Sequence, residues 1–277
     1  MNSLYSYIYW NPSETIIQIG SFAPRWYGLF WMVGLLLGAA FMFRLYKAQG
    51  IKEDEAQRLF IYVFLSVFIG ARLGHCIFYE ANYYFSSFSH FLEIVLPIRF
   101  SEDGSWKYIG YQGLASHGGV IGLIIGLAFY HRKTKIPMLV VLDNMGLCAC
   151  ITAAFIRLGN LMNSEIIGKP TDVPWAFIFE KVDSLPRHPG QLYEAIFYLI
   201  FFLIIYLVYL KNKERVGSGL FFGLCLSLVF TLRFFIEFTK EVQVPFENNM
   251  YLNMGQVLSI PFILIGLYFA FIRRKPR

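Results

Sequence analysis

A chain of 277 residues that is 57% hydrophobic and only 15% charged, with 29 phenylalanines, is too apolar for a soluble domain and reads as an integral membrane protein. Its net charge of +6 is informative only through where the lysines and arginines fall. The four cysteines, Cys76, Cys148, Cys150 and Cys225, all sit in apolar runs without zinc or redox spacing. They read as small buried hydrophobes, and cysteine catalysis is not expected.

Residues 1–24 lack a basic start followed by an apolar core, so no cleavable signal peptide is expected. A helix needs about 20 mostly apolar residues to cross roughly 30 Å of hydrocarbon. Seven runs qualify in chain order: 26–43, 59–79, 114–130, 138–156, 195–210, 216–232 and 254–272. The second and third are interrupted by Arg72, His75 and His117. None shows the alternation of a membrane barrel, so the expected fold is all-α, a bundle of about seven transmembrane helices.

Fourteen of the 24 basic residues lie in the connections after spans one, three and five and in the tail after span seven. The positive-inside rule then puts that side in the cytoplasm and the N-terminus outside. Two outer segments, 80–113 and 157–194, exceed simple connections. The second carries Pro170, Pro174, Pro186 and Pro189 with the patch Trp175-Ala-Phe-Ile-Phe179, and reads as a small external cap.

With this orientation the costly residues share one depth. Tyr27 opens span one, and Arg72 and His75 lie toward the outer end of span two. His117 starts span three, Arg157 and Asn160 end span four, and Arg233 and Glu237 end span six. Polar groups at such depth persist by facing a cavity, a partner charge or a ligand. The arginine fork suits phosphate or carboxylate, so the convergence points to an amphiphilic anion entering from the membrane. Plainer readings stand beside this one. Arginines at span ends snorkel, Arg233 and Glu237 neutralise each other at i,i+4, and a lone interfacial histidine is ordinary. Ser116-His117-Gly118-Gly119 suits phosphate at a helix start, yet Gly118, Gly122 and Gly126 also form a helix-packing face. Asp143 and Asn144, toward the other membrane face, read as structural, as do Pro189 and Tyr193. His188, Gln191 and Glu194 stay open. Ala71-Arg72-Leu73-Gly74-His75 echoes Ile156-Arg157-Leu158-Gly159-Asn160, over too few residues to mark a repeat.

Seven segments in order resemble the bacterial prolipoprotein diacylglyceryl transferase family. They are Trp26-Tyr27-Gly28, Gly70-Ala-Arg72, Ser116-His117-Gly118-Gly119, Arg157-x-x-Asn160-x-x-Asn163-x-Glu165-x-x-Gly168, His188-Pro189-x-Gln191-Leu192-Tyr193-Glu194, Arg233-x-x-x-Glu237 and Met254-Gly255-Gln256. The resemblance implies transfer of the diacylglyceryl group of phosphatidylglycerol to the signal-region cysteine thiol of a prolipoprotein in the bacterial cell membrane. A thioether forms and glycerol 1-phosphate leaves. It implies no cofactor, no metal and no nucleic-acid partner. Its functional positions fall on Tyr27, His117, Arg157, Asn160, Glu165, Gly168, Arg233 and Glu237, with Arg72, Gly118 and Gly119 as further substrate-binding candidates. Ile156 and Ser164 stand where the family commonly has glycine. The chemistry fits the residues: Arg157 and Arg233 meet developing negative charge, and His117 is the natural base for the thiol. Glu165 and Glu237 would orient the arginines or the glycerol. The rival classes are a transporter of anionic lipid, which would carry polar groups through both membrane halves, and a non-catalytic lipid-binding scaffold.

Overall fold

The computed structural model describes residues 7–20, 23–101, 104–111, 113–241 and 250–272; the basic tail Arg273, Arg274, Lys275 and Arg277 lies outside them. The chain is an all-α integral membrane protein with two small sheets in its polar segments. In order it forms β1 (Ile8–Trp10), α1 (Trp26–Ala48), α2 (Glu53–Phe78), α3 (Ala81–Tyr84), α4 (Phe88–Leu92), β2 (Ile98–Phe100) and β3 (Trp106–Tyr108). There follow α5 (Ser116–Thr134), α6 (Met138–Met162), β4 (Phe177–Phe179), β5 (Pro186–Arg187), α7 (Gly190–Lys211), α8 (Leu220–Ile236) and α9 (Met254–Leu267). Among the described residues six helices are long and apolar enough to cross a membrane: Trp26–Ala48, Glu53–Phe78, Met138–Met162, Gly190–Lys211, Leu220–Thr239 and Met254–Ile272. The expected run 114–130 forms α5, 19 residues long, which is about 28 Å at 1.5 Å per residue. Ser116 and His117 at one end and His131, Arg132 and Lys133 at the other dilute its apolar character, so it is not one of the six.

The chain divides into two compact units, residues 1–45 with 139–277, and 46–138. The first holds most of α1 with α6 to α9. Small residues set its close approaches. A Cβ on Gly34 would lie 2.8 Å from the Phe155 Cβ, and one on Gly266 would lie 2.5 Å from the Ser227 backbone nitrogen. Asp143, fully buried, accepts four backbone N–H bonds, from Gly217 and Gly219 to Oδ2 and from Phe221 and Phe222 to Oδ1, at 2.8–3.0 Å. These donors include the orphan N–H groups at the start of α8, and the carboxylate complements the dipole there.

The cap is a three-stranded sheet in the order β1-β4-β5, with β1 parallel and β5 antiparallel to β4. Phe177 and Phe179 of β4 pack with Leu161 at the end of α6, flanked by Trp10, Ile167 and Leu192. The Trp10 indole donates to the Leu161 carbonyl at 2.9 Å. The cap therefore recruits a strand from the N-terminal segment in addition to residues 157–194.

In the second unit α2 and α5 run antiparallel in close contact. A Cβ on Gly118 would strike the Gly70 carbonyl, and one on Gly122 the Ser66 carbonyl. The segment 80–113 adds α3, α4 and the β2–β3 hairpin. Buried Glu93 holds it together, accepting from the Tyr83 hydroxyl at 2.9 Å and the Phe100 N–H at 2.7 Å.

Candidate active site

Helix α6 ends in a left-handed turn. The Glu165 N–H reaches back to the Asn160 carbonyl at 3.0 Å and the Ser164 N–H to the Leu161 carbonyl at 3.0 Å, with Ser164 at φ +55°. This is the Schellman pattern, whose left-handed position favours glycine. The turn brings the polar side chains of the α6 terminus onto one another. Arg157 Nη1 donates to Asn160 Oδ1 at 3.3 Å, and Asn160 and Asn163 each donate to the Glu165 carboxylate at 3.0 Å. The Gln191 amide donates to the Glu165 backbone carbonyl. Tyr27 of α1 lays its ring on Gly159, where a Cβ would come within 3.0 Å of the ring.

A chain of alternating charges extends from this turn. Arg157 Nε lies 2.8 Å from Glu194 Oε2 on α7, and Tyr198 one turn on lies against the same guanidinium. The other Glu194 oxygen accepts from Lys240 Nζ at 3.0 Å, and Lys240 also donates to Glu237 Oε1 at 3.0 Å. Arg233 Nε is 3.8 Å from that Glu237 oxygen. Asn253, the N-cap of α9 in a capping box with Gln256, donates to Glu237 Oε2 at 3.2 Å. A Cβ on Gly255 would fall 2.6 Å from the Glu237 carboxyl carbon, so the first turn of α9 presses directly on that group. Glu194 is fully buried and Lys240 3% exposed, whereas the Arg233 side chain is 36% exposed. Removing one member of a buried pair costs about 3–5 kcal/mol, because its partner is left charged and dry.

Other predicted site residues are placed differently. A Cβ on Gly168 would sit 2.5 Å from both the Cβ and the carbonyl oxygen of His188 and 2.8 Å from the Thr239 carbonyl. Its N–H donates to His188 and its carbonyl accepts from Arg187, so Gly168 serves close backbone packing in the cap. In the second unit Arg72 turns its fork on backbone carbonyls: Ile94 at 3.1 Å, Glu93 at 2.6 Å and Gly113 at 3.4 Å. The guanidinium also lies 5.0 Å from the Tyr84 ring centre, which makes Arg72 a fastener of the segment 80–113. Gly118 is taken up by the α2–α5 approach, and a Cβ on Gly119 would meet Ala71 and Val67 at an ordinary 3.6 Å. His117 stands exposed in the first turn of α5, and its side chain makes no hydrogen bond to a described residue. Among the described residues no group of three His, Cys, Asp or Glu side chains is arranged for a metal.

A model of the prolipoprotein diacylglyceryl transferase family matches residues 14–272. The chain belongs to that family. Among similar proteins is the phosphatidylglycerol–prolipoprotein diacylglyceryl transferase of Bacteroides fragilis, 51% identical over 277 residues, covering 100% of this chain and 99% of the relative. The protein of the same name from Chloroherpeton thalassium is 43% identical over 267 residues (96% and 94%). That from Tolumonas auensis is 37% identical over 271 residues (98% and 99%). Membership answers the choice between enzyme, carrier and scaffold in favour of a transferase.

Within this family member, sequence reasoning passed over Lys240 and left Glu194 and Gln191 open. Lys240 follows a span end, where a lysine resembles a solvated anchor. Only its spacing of three from Glu237 hinted at a pair. The cap carries its own charges, away from the candidate membrane spans in sequence. Arg187, buried, holds Asp183 through bonds of 2.5–3.1 Å and Glu241 at 2.9 Å. Hydrogen bonding from Arg187 keeps the Asp183 carboxyl below its ordinary range, and the Arg187 guanidinium is pushed further up. His188 is held below the usual histidine range by burial, with its Nδ1 3.1 Å from the Tyr193 hydroxyl.

Proposed function

We propose that this protein transfers the diacylglyceryl group of phosphatidylglycerol to the cysteine thiol of a prolipoprotein signal region, in the bacterial cell membrane. The observation that carries the reading is the buried link between Arg157 and Arg233, through Glu194, Lys240 and Glu237, in a chain of this family. Two arginines fixed by one set of carboxylates suit the phosphate of the lipid headgroup. In the reaction the cysteine sulfur attacks the carbon of the diacylglyceryl moiety that bears the phosphate. A carbon–sulfur bond forms, the carbon–oxygen bond breaks, and its electron pair leaves with glycerol 1-phosphate.

Arg157 and Arg233 stabilise the charge that gathers on the departing phosphate. His117 accepts the thiol proton, since a thiol of pKa about 8.5 gains from a base near neutrality. Asn160 holds Glu165 and Arg157 in register, and Glu165, Glu237 and Tyr27 orient the glycerol. Gly168 supports the site through close backbone packing in the cap, while Arg72, Gly118 and Gly119 are proposed as substrate-binding positions of the second unit. Helix α5 makes the seventh crossing, so the N-terminus lies outside and the basic connections face the cytoplasm.

The test mixes purified protein in detergent with phosphatidylglycerol and a peptide carrying a lipoprotein-type cysteine. Peptide mass and released glycerol phosphate are followed together. Wild type adds one diacylglyceryl increment per phosphate released. Arg157→Ala loses at least about a hundredfold in kcat/KM, and His117→Gln loses turnover with a smaller change in lipid KM. Near-normal turnover in His117→Gln would remove it as the base.

A further inference from the structure

The alternating charges of the first unit have Lys240 at their middle, and the proposed chemistry makes no direct use of it. Its ammonium is shared by Glu194 and Glu237 at 3.0 Å each, and each carboxylate also meets one arginine. Lys240 sits just beyond the one-turn segment Glu237–Thr239 that continues α8. Its backbone is fastened to the cap segment by the bridge with Gly168, and the Lys169 N–H donates to Thr239 at 2.7 Å. The lysine stem then passes Gly190, where an added Cβ would lie 3.8 Å from Lys240 Cγ, and reaches Glu194 one turn along α7. Three separate parts of the chain, the cap segment, the start of α7 and the end of α8, therefore meet at this one side chain.

We propose that Lys240 is a positioning residue that sets the separation of Arg157 and Arg233 through Glu194 and Glu237, and so the affinity for the phosphate of the lipid substrate. The proposal rests on the function proposed above. The geometry gives it two physical consequences. Among these five side chains three cations face two carboxylates, leaving one positive charge in excess, with Glu165 reached from Arg157 only through Asn160. Without the lysine the excess vanishes, and two buried carboxylates lose the donor they share, so each is free to swing onto its own arginine. A simple counter-charge would supply only the first consequence. A positioning residue supplies both.

The experiment measures kcat and the KM for phosphatidylglycerol in the full-length protein, with the thermal midpoint in detergent recorded alongside. Wild-type turnover tests the transferase reading by itself, so its failure is separate from failure of the role of Lys240. Lys240→Arg, whose fork reaches both carboxylates, keeps KM within about threefold of wild type. Lys240→Met raises KM by about tenfold or more, beyond any change in kcat. The double variant Lys240→Met/Glu194→Gln restores the single positive excess and with it the thermal midpoint, yet keeps the raised KM. Wild-type KM in Lys240→Met or in the folded double variant overturns the proposal, and so does a tenfold rise in Lys240→Arg. If Lys240→Met does not fold, the double variant and Lys240→Arg decide on the same terms.

Discussion

Ser164 and Ile166 flank Glu165 with φ of +55° and +56°, a region costly for any residue with a Cβ and most costly for a β-branched one. Ser164 is also buried, and its hydroxyl has no hydrogen-bond partner among the described residues. Glycine there removes both penalties, so Ser164→Gly should stabilise the protein by about 1 kcal/mol and raise the thermal midpoint by roughly 2 °C. Differential scanning fluorimetry in detergent checks this, and an unchanged or lower midpoint contradicts it. The departure from the family's glycine was visible in the sequence, but its meaning was not, because nothing before residue 164 announces a left-handed helix end. Arg157 was legible at this scale, as an arginine at the end of an apolar run. Arg72 looked identical to it, and its carbonyl partners lie 21 to 41 residues further on, where no local pattern points.

Glycines govern the approach of whole elements. At Gly168 the cap segment passes so close to His188 and Thr239 that one methyl group must push it away. Gly168→Ala should cost about a hundredfold in kcat/KM, since a shift of about 1 Å near a reacting centre has that effect. The lipid–peptide assay reads the loss, and hydrogen exchange at the Gly168 segment should quicken in parallel. In the second unit Gly122→Leu would drive a side chain into the Ser66 carbonyl of α2, at a cost of about 1–3 kcal/mol. A lowered thermal midpoint, with a smaller drop for Gly122→Ala, is the expected series. The sequence showed this face through the spacing of Gly118, Gly122 and Gly126. It could not show that Gly70 and Gly74 answer it from α2. The pairing of β1 with β4 joins residues 169 positions apart and had no local signal either.

At the scale of the molecule, six of the seven hydrophobic runs fall on described helices long and apolar enough to cross a membrane, and the seventh falls on α5. Their ends were foretold less well, since helices extend past the apolar stretch: 59–79 became Glu53–Phe78 and 195–210 became Gly190–Lys211. The expected cap segment 157–194 holds β4 and β5, and its pairing with β1 had no sequence signal. Its pH response follows from two depressed groups. His188 is disfavoured as a cation in the folded cap, so the unfolded chain takes up that proton first, and stability falls as the pH drops below about 6.5. The stability from Asp183 is complete above the ordinary aspartate value of about 3.9 and is lost as the pH falls through its lower folded value. Hydrogen exchange of cap amides, corrected for intrinsic rates, should therefore be slowest near neutrality and quicken in two acid steps. His188→Gln should abolish the upper step alone.

The order of charges in the buried chain has a further consequence. Arg157, Glu194, Lys240, Glu237 and Arg233 alternate in sign with an arginine at each end, so these five side chains form an open necklace with one positive charge in excess. Under the proposed function, a phosphodiester with one negative charge held by both arginines would close it into a neutral ring. The phosphate monoester released by the reaction carries close to two charges near pH 7 and overfills the same ring by almost one. Beside the buried carboxylates Glu194 and Glu237 that surplus would be unfavourable, so the electrostatics proposed to seat the lipid would also help expel the spent headgroup.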